Sequence, residues 1–170
     1  SIPDAMGISI VTKHGNLVVS GDLKLEHVDS IPTEREEKVW SEVGKDKNIL
    51  FMADSTNAER DGFSIPETRV HQTLEEIIST VKGRMVISLF ASNFERVIRI
   101  VSSAEKLGKK IVIEGRSHRT NIEISQRAGI LKVQEGTIIN AESIKDYPAD
   151  RIIIIATGAA IVASQALISA

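Results

Sequence analysis

The sequence contains no cysteine, so the chain forms neither disulfide bonds nor thiolate metal sites. A metal ion would therefore be held by aspartate, glutamate or one of the four histidines, and ligands of this kind favour hydrolytic chemistry. The histidines lack both His-x-His and His-x-x-x-His spacing, which disfavours a metal site built from this sequence alone.

Long hydrophobic runs are also lacking. Unbroken apolar stretches such as residues 152–156 are far too short to cross a bilayer, and no basic segment followed by an apolar one begins the sequence. These features predict a cytoplasmic protein with no membrane partner. The formal net charge of −2 is no signature of nucleic-acid binding, which would have to depend on a local patch.

The N-terminal third predicts a β-hairpin followed by a connection. Residues 8–11 and 17–20 are rich in apolar side chains on either side of His14, which indicates two strands joined by a tight turn. Residues 27–48 are polar and mixed, and they indicate a connection that contains a short helix at residues 34–40.

From Asn48 onward the pattern alternates between strands and helices. Buried strands are predicted at residues 49–52, 85–90, 111–113 and 151–156, with a short one at 131–133. The first of the intervening helices is predicted to be capped by Ser64 with Pro66 in its first turn, and a last helix is predicted after Gly158. Such alternation is typical of a doubly wound α/β domain, so we predict a parallel sheet with helices on both faces.

Four predicted loops follow strands and carry hydroxyl, amide or guanidinium groups: residues 54–57, 91–93, 115–117 and 157–158. The carboxyl ends of parallel strands meet at one sheet edge, where helix N-termini favour anions, so these loops suit phosphate. The alternative for each loop is a helix cap or turn, because the same residue types are common there. Arg116 adds a charge suited to phosphate, unless it is a solvated surface residue.

Two further residues are candidates for chemistry. Asp22 follows Gly21 at the end of the second strand, where a carboxylate can project from a sheet edge toward a metal ion. A turn residue is the alternative for this position. His118 lies close to Arg116 and is a candidate substrate contact, although a solvated loop residue is the preferred interpretation.

Five segments together resemble the ribonuclease J family in their order and spacing. They are Ser-Ile-Pro-Asp at 1–4, Gly-Asp-Leu-Lys at 21–24, Asp-Ser-Thr-Asn-Ala-Glu-Arg at 54–60 with Gly-Phe at 62–63, Phe-Ala-Ser-Asn at 90–93, and Gly-Arg-Ser at 115–117. The family consists of metallo-β-lactamase-fold ribonucleases with an inserted β-CASP domain. The resemblance implies an α/β fold in which a parallel-sheet β-CASP domain at residues 64–170 follows a β-rich fragment of a metallo-β-lactamase domain at residues 1–63.

The resemblance also implies that the sequence is an internal fragment of a metal-dependent ribonuclease. In the family a metal-binding histidine precedes Ser-Ile-Pro-Asp, a His-x-His-x-Asp-His cluster lies upstream, and further ligand histidines lie downstream. The parent protein is expected to hydrolyse RNA phosphodiester bonds, exo- or endonucleolytically, with two divalent metal ions, for which zinc is expected. The fragment alone is expected to be inactive.

Two catalytic positions carry over from the family. Asp22 matches the aspartate that bridges the two metal ions, so it is expected to be a metal ligand and a catalytic residue. Asp54 matches the acidic motif beside the catalytic centre, where it is expected to orient a neighbouring histidine or the proton path to the leaving group. Its alternative role is a structural cap for the N–H groups of Asn57 or Ala58.

Single-stranded RNA is the expected partner, together with a second copy of the protein or a related subunit. The expected RNA-binding residues are Ser55, Asn57, Ser92, Asn93, Arg116 and Ser117. After Gly158 the family continues with Ser-Gln-Gly-Glu-Pro, whereas residues 159–163 here are Ala-Ala-Ile-Val-Ala. This departure leaves open a non-catalytic RNA-binding or assembly paralogue. The signature at 54–57 disfavours a third alternative, a generic phosphate-binding or nucleotide-binding domain.

Overall fold

The computed structural model describes residues 5–158. The chain divides into two compact units, Ser1–Val70 and His71–Ala170. Three sequence-based expectations lie outside the described residues: the Ser-Ile-Pro-Asp segment at 1–4, the departure at 159–163 and the last predicted helix. No helix within residues 5–158 combines the length and the hydrophobicity needed to span a bilayer.

The first unit is built on a three-stranded sheet. Its elements are β1 (Ile8–Thr12), β2 (Gly15–Val19), β3 (His27–Val28), β4 (Ile31–Pro32), α1 (Glu34–Gly44) and β5 (Asn48–Met52). The strand order is β1-β2-β5, in which β1 and β2 form the predicted hairpin and β5 runs parallel to β2. Residue 15 must be a glycine, because its φ is 142° and a Cβ there would lie 2.7 Å from the carbonyl oxygen of Lys47, which precedes β5.

The placement of strand β5 corrects the sequence-based expectation. It was predicted to be a buried strand of the repeating α/β pattern, but it pairs with β2 at the edge of the first sheet. Residues 49–52 are each about half exposed, and Trp40 of α1 packs edge to face on Phe51 with ring centroids 5.6 Å apart. An apolar run identifies a strand, but it does not identify the sheet that the strand joins. Here α1 is the crossover that returns the chain beside β2.

The second unit is built on a four-stranded parallel sheet. Its elements are α2 (Glu67–Thr80), which begins within the first unit, β6 (Met85–Ser88), α3 (Phe94–Lys106), β7 (Lys110–Glu114), α4 (Arg116–Arg127), β8 (Ile138–Ile139), the 3-10 segments Ala141–Asp146 and Ala149–Arg151, and β9 (Ile152–Ala156). The strand order is β6-β9-β7-β8, and every neighbouring pair is parallel. The last strand in sequence therefore lies at the centre of the sheet.

Strand β9 is buried on both faces. Ile153 and Ile155 pack in a cluster with apolar residues of α2, α3 and α4, whereas Ile152 and Ile154 pack on the opposite face with Ile144 of the first 3-10 segment. This alternation follows from the two-residue period of a strand. Within residues 5–158, therefore, the α-helices of this unit cover one face of the sheet, where the sequence predicted helices on both.

Burial at β9 should dominate the stability of the second unit. Ile153 is fully buried at the centre of the sheet, so Ile153→Ala is expected to lower the free energy of unfolding by about 2–5 kcal/mol. Ile130, which is 65% exposed, provides the matched control, and Ile130→Ala should change stability by less than about 0.5 kcal/mol. Urea unfolding followed by far-ultraviolet circular dichroism measures both. Equal effects of the two substitutions would contradict the assigned core.

Candidate functional site

Asp54 ties together the segments that follow β2 and β5. These parallel strands end side by side, with Val19 opposite Met52. Beyond their ends, the backbone N–H of Asp54 donates to the Ser20 hydroxyl over 2.9 Å, and the N–H of Leu23 donates to Asp54 Oδ2 over 3.1 Å. Asp22 lies within the segment that these bonds hold, so the structure brings the segments that carry the two predicted acidic residues together at one sheet edge.

The carboxylate of Asp54 is occupied by hydrogen-bond donors. In addition to the Leu23 bond, Oδ1 accepts from the Thr56 hydroxyl over 2.6 Å and from the Thr56 N–H over 2.9 Å. The Thr56 hydroxyl, followed by the backbone N–H groups of Thr56 and Leu23, lowers the pKa of Asp54 below its ordinary value of 3.8. The structural alternative predicted a cap for Asn57 or Ala58; the capped residue is Thr56, and the Ala58 N–H donates to the Ser55 carbonyl.

Asp22 follows a tight turn at Gly21. Gly21 adopts φ 62°, and a Cβ at this position would lie 2.5 Å from the carbonyl oxygen of Met6, so a larger residue would not fit without a shift of the backbone. Asp22 itself is exposed. Its carboxylate therefore remains accessible at the sheet edge. Asp54 is exposed as well, but its carboxylate is hydrogen-bonded.

A metal ion implied by the family must fit the donors that are present. Asp22 offers exposed carboxylate oxygens, which suit a divalent cation, whereas Asp54 already accepts three hydrogen bonds. Within residues 5–158 no three histidine, aspartate or glutamate side chains gather closely enough to hold a metal ion. Asp22 thus fits one ligand position, and a complete site would need further ligands.

The loop between β5 and α2, which contains Asp54, is held at its C-terminal end by the segment around β3. His27 is buried, its Nε2 lies 2.8 Å from the Ser64 carbonyl oxygen, and its Nδ1 accepts from the Ser30 N–H over 3.2 Å. Because Nδ1 accepts, Nε2 carries the proton and donates to Ser64. The His27 ring also packs against Phe63 with centroids 5.0 Å apart. Sequence reasoning missed this role of His27, since no spacing rule links residues that are far apart in the chain.

The start of α2 is held by the same segment. The Glu26 carboxylate accepts from the Glu67 N–H over 3.0 Å, and Lys24 forms a 2.8 Å salt bridge with the Glu67 side chain. The prediction that Ser64 caps this helix is therefore wrong. The helix begins at Glu67, and the cap comes from a carboxylate 41 residues upstream, which favourably places negative charge at a helix N-terminus.

The second unit presents another polar edge. Strands β6, β9 and β7 are adjacent and parallel, so the loops that follow them emerge at one edge of the sheet. Ser92 is exposed and Asn93 is the N-cap of α3, with no hydrogen bond from its side chain to the helix. Arg116 and Ser117 are exposed and were predicted to precede α4, but they form its first turn, after Gly115 with φ 98°.

His118 is not the solvated loop residue that the sequence suggested. It is 1% exposed, and its Nε2 lies 3.2 Å from the carbonyl oxygen of Leu89. The cause is the early start of α4, which places His118, Ile122 and Ser125 on one buried helical face. This spacing was present in the sequence, but assigning residues 115–117 to a loop concealed it.

Taken together, the fold and its loops define an α/β domain with a parallel sheet whose polar carboxyl edge suits an anionic ligand. Residues 82–169 match the family model for the ribonuclease J β-CASP domain. The chain belongs to the ribonuclease J family, which confirms the predicted family and fold class.

The proteins that this chain is similar to are longer than the chain itself. Ribonuclease J 2 of Staphylococcus saprophyticus is 32% identical to this chain over 158 residues, and ribonuclease J of Mycoplasma genitalium is 34% identical over the same number. Ribonuclease J 2 of Staphylococcus aureus is 31% identical. In each case the match covers 93% of this chain and 28% of the relative, so the chain spans less than a third of the length of these relatives.

The hydrogen bonds to Asp54 predict a measurable titration. The carboxylate should titrate below 3.8, so the bonds that it accepts stabilise the folded chain at neutral pH and are lost as the pH falls through the lowered pKa. Thr56→Val removes the hydroxyl donor but keeps the backbone N–H, and it should raise the pKa of Asp54 toward its ordinary value. Carbon-13 NMR of the Asp54 carboxyl carbon measures the titration.

The matched control for that titration is Thr68→Val, an exposed threonine in α2, which should leave the pKa of Asp54 unchanged. A midpoint for Asp54 at or above 3.8 in the unsubstituted chain would show that the Thr56 and Leu23 bonds do not form in solution.

Proposed function

We propose that the protein to which this chain belongs is a metal-dependent ribonuclease that hydrolyses RNA phosphodiester bonds in the cytoplasm, exo- or endonucleolytically. The observation that carries this proposal is the hydrogen-bonded edge where the Asp22 segment meets Asp54, in a chain of the ribonuclease J family. Relatives named ribonuclease J and ribonuclease J 2 support an RNA substrate.

Asp22 is the residue of this chain that would hold metal. It is an exposed carboxylate at a sheet edge that would help to hold two divalent ions, for which zinc is expected, together with ligands that this chain does not supply. When bound, such a pair of ions would neutralise the charge that develops on the scissile phosphate. This chain alone, with one ligand position, is proposed to be inactive.

Asp54 is proposed to act through the segment that carries Asp22. Its carboxylate accepts from the Leu23 N–H, the residue directly after Asp22, while its own N–H is held by Ser20. A carboxylate with three donors is poorly placed to ligate metal, since each bond would compete with the ion. Asp54 therefore positions the Asp22 segment, and the bonds that it accepts lower its pKa because they stabilise the charged carboxylate.

The polar loop residues are proposed to contact single-stranded RNA. Ser92 and Asn93 stand at the N-terminus of α3, while Arg116 and Ser117 form the first turn of α4. Helix N-termini present N–H groups and partial positive charge, and a guanidinium adds a full charge, so this edge favours phosphate. Ser55 and Asn57, exposed in the loop after β5, are proposed as further contacts. A homo-oligomer is also proposed for the full-length protein.

Loss of the Asp22 carboxylate should nearly abolish hydrolysis. In the full-length protein, Asp22→Asn is expected to lower the rate of RNA cleavage by at least about 100-fold, because even residues that merely support metal ligands affect activity on that scale. Asp29→Asn is the matched control, because asparagine tolerates the positive φ of this exposed residue, and it should retain activity.

Cleavage and metal content are measured together for both variants. Full activity and normal metal content in Asp22→Asn would remove Asp22 from the site. An unsubstituted protein that binds RNA without cleaving it under any divalent metal would instead favour the non-catalytic paralogue.

The Arg116 contact predicts a specific salt dependence. Arg116→Ala should weaken binding of all single-stranded RNA sequences alike and reduce the slope of log K against log salt by about 0.7, the contribution of one neutralised phosphate. Arg127, at the opposite end of α4, provides the control, and Arg127→Ala should leave the slope unchanged. Fluorescence anisotropy at several salt concentrations measures the slope, and equal slopes for all three proteins would place Arg116 outside the RNA path.

A further inference from the structure

The loop that leads from β6 into α3 has three successive carbonyl groups that each accept a hydrogen bond. His118 Nε2 lies 3.2 Å from the Leu89 oxygen, and Asn121 Nδ2 donates to the Ala91 oxygen over 2.8 Å. Between them, the Phe90 oxygen accepts from the N–H of Asn93 over 2.9 Å. Two of the three donors are side chains of α4, so one helix holds the loop that begins the other.

The hydrogen bonding of His118 is directed at this loop. A carbonyl oxygen only accepts, so Nε2 carries the proton, and the buried Nδ1 atom makes no hydrogen bond to any described residue. An apolar side chain would satisfy the packing of this buried position equally well, without leaving a nitrogen unbonded. The donation to Leu89 is therefore what the histidine adds over an apolar residue at this position.

We infer that His118 and Asn121 are positioning residues that hold the N-terminus of α3 in a fixed place relative to the first turn of α4. This inference depends on the proposed function, in which the two helix starts contact one RNA backbone. Carbonyl oxygens repel a phosphate, because both carry negative charge. Donors from α4 offset the partial negative charge of two of the loop carbonyls. Ser92 and Asn93 are thereby kept at a constant spacing from Arg116 and Ser117.

Substitutions at residue 118 separate positioning from packing. His118→Leu fills the buried volume but cannot donate, whereas the side-chain amide of His118→Gln can still donate to Leu89. Asn121→Ala removes the second donor. Ile122→Ala is the control for stability, because Ile122 is buried on the same helix and packs in the core but its side chain donates no hydrogen bond.

Two measurements on the whole 170-residue chain test the inference. Amide hydrogen exchange read by NMR reports the order of the loop, through the Asn93 N–H that bonds to Phe90. Affinity for a single-stranded RNA oligonucleotide reports the proposed contact. His118→Leu and Asn121→Ala should each speed exchange at residues 91–93 by up to about tenfold, the factor expected for loss of one hydrogen bond, and should weaken RNA binding.

His118→Gln should restore both readouts, and Ile122→Ala should lower global stability without a selective effect on residues 91–93. The inference is overturned if Ile122→Ala loosens residues 91–93 as much as His118→Leu does, or if His118→Gln restores neither readout. If exchange responds as expected in a chain that does not bind RNA, the positioning role is supported and the proposed RNA contact is contradicted.

Discussion

Parallel pairing of strands is the constraint on which both polar edges depend. Because parallel strands end on the same side, β2 and β5 deliver their following loops to one edge of the first unit, and β6, β9 and β7 do the same in the second. In each unit the loops are then joined by side-chain bonds to backbone, from Asp54 in the first and from His118 and Asn121 in the second. Strand direction brings the loops together, and these bonds hold them.

The loop between β5 and α2, which contains Asp54, is held by contacts at both ends. Asp54 anchors its start, while His27, Glu26 and Lys24 anchor the segment that follows it. The Lys24–Glu67 ion pair is less than one-fifth exposed, so it is screened less than the exposed pair between Lys45 and Glu42, which contributes little. In three of these four contacts a side chain bonds to a backbone group, which suits a loop that must hold one carboxylate in place.

Local patterns located most of the strands and helices but did not identify the partners of each strand. The hairpin at β1 and β2, the apolar run of β9 and the helix after residue 93 were predicted, because period and turn chemistry are local. The edge position of β5, the short strand Ile138–Ile139 in place of 131–133, and the burial of His118 were missed. Each of these depends on residues distant in sequence, or on a helix start displaced by a few residues. The roles of the candidate site residues came from the family resemblance.

The central claim is that polar side chains at the carboxyl edge of the second sheet form one RNA-binding surface. NMR titration of the labelled chain with single-stranded RNA tests it most directly. The largest changes in amide chemical shift are expected at residues 92, 93, 116 and 117, and they should diminish as salt is added. The opposite edge offers a rival site of the right charge, since Lys110 lies at the amino end of β7. Changes centred on Lys110, with residues 92–93 and 116–117 unaffected, would contradict the proposed RNA path.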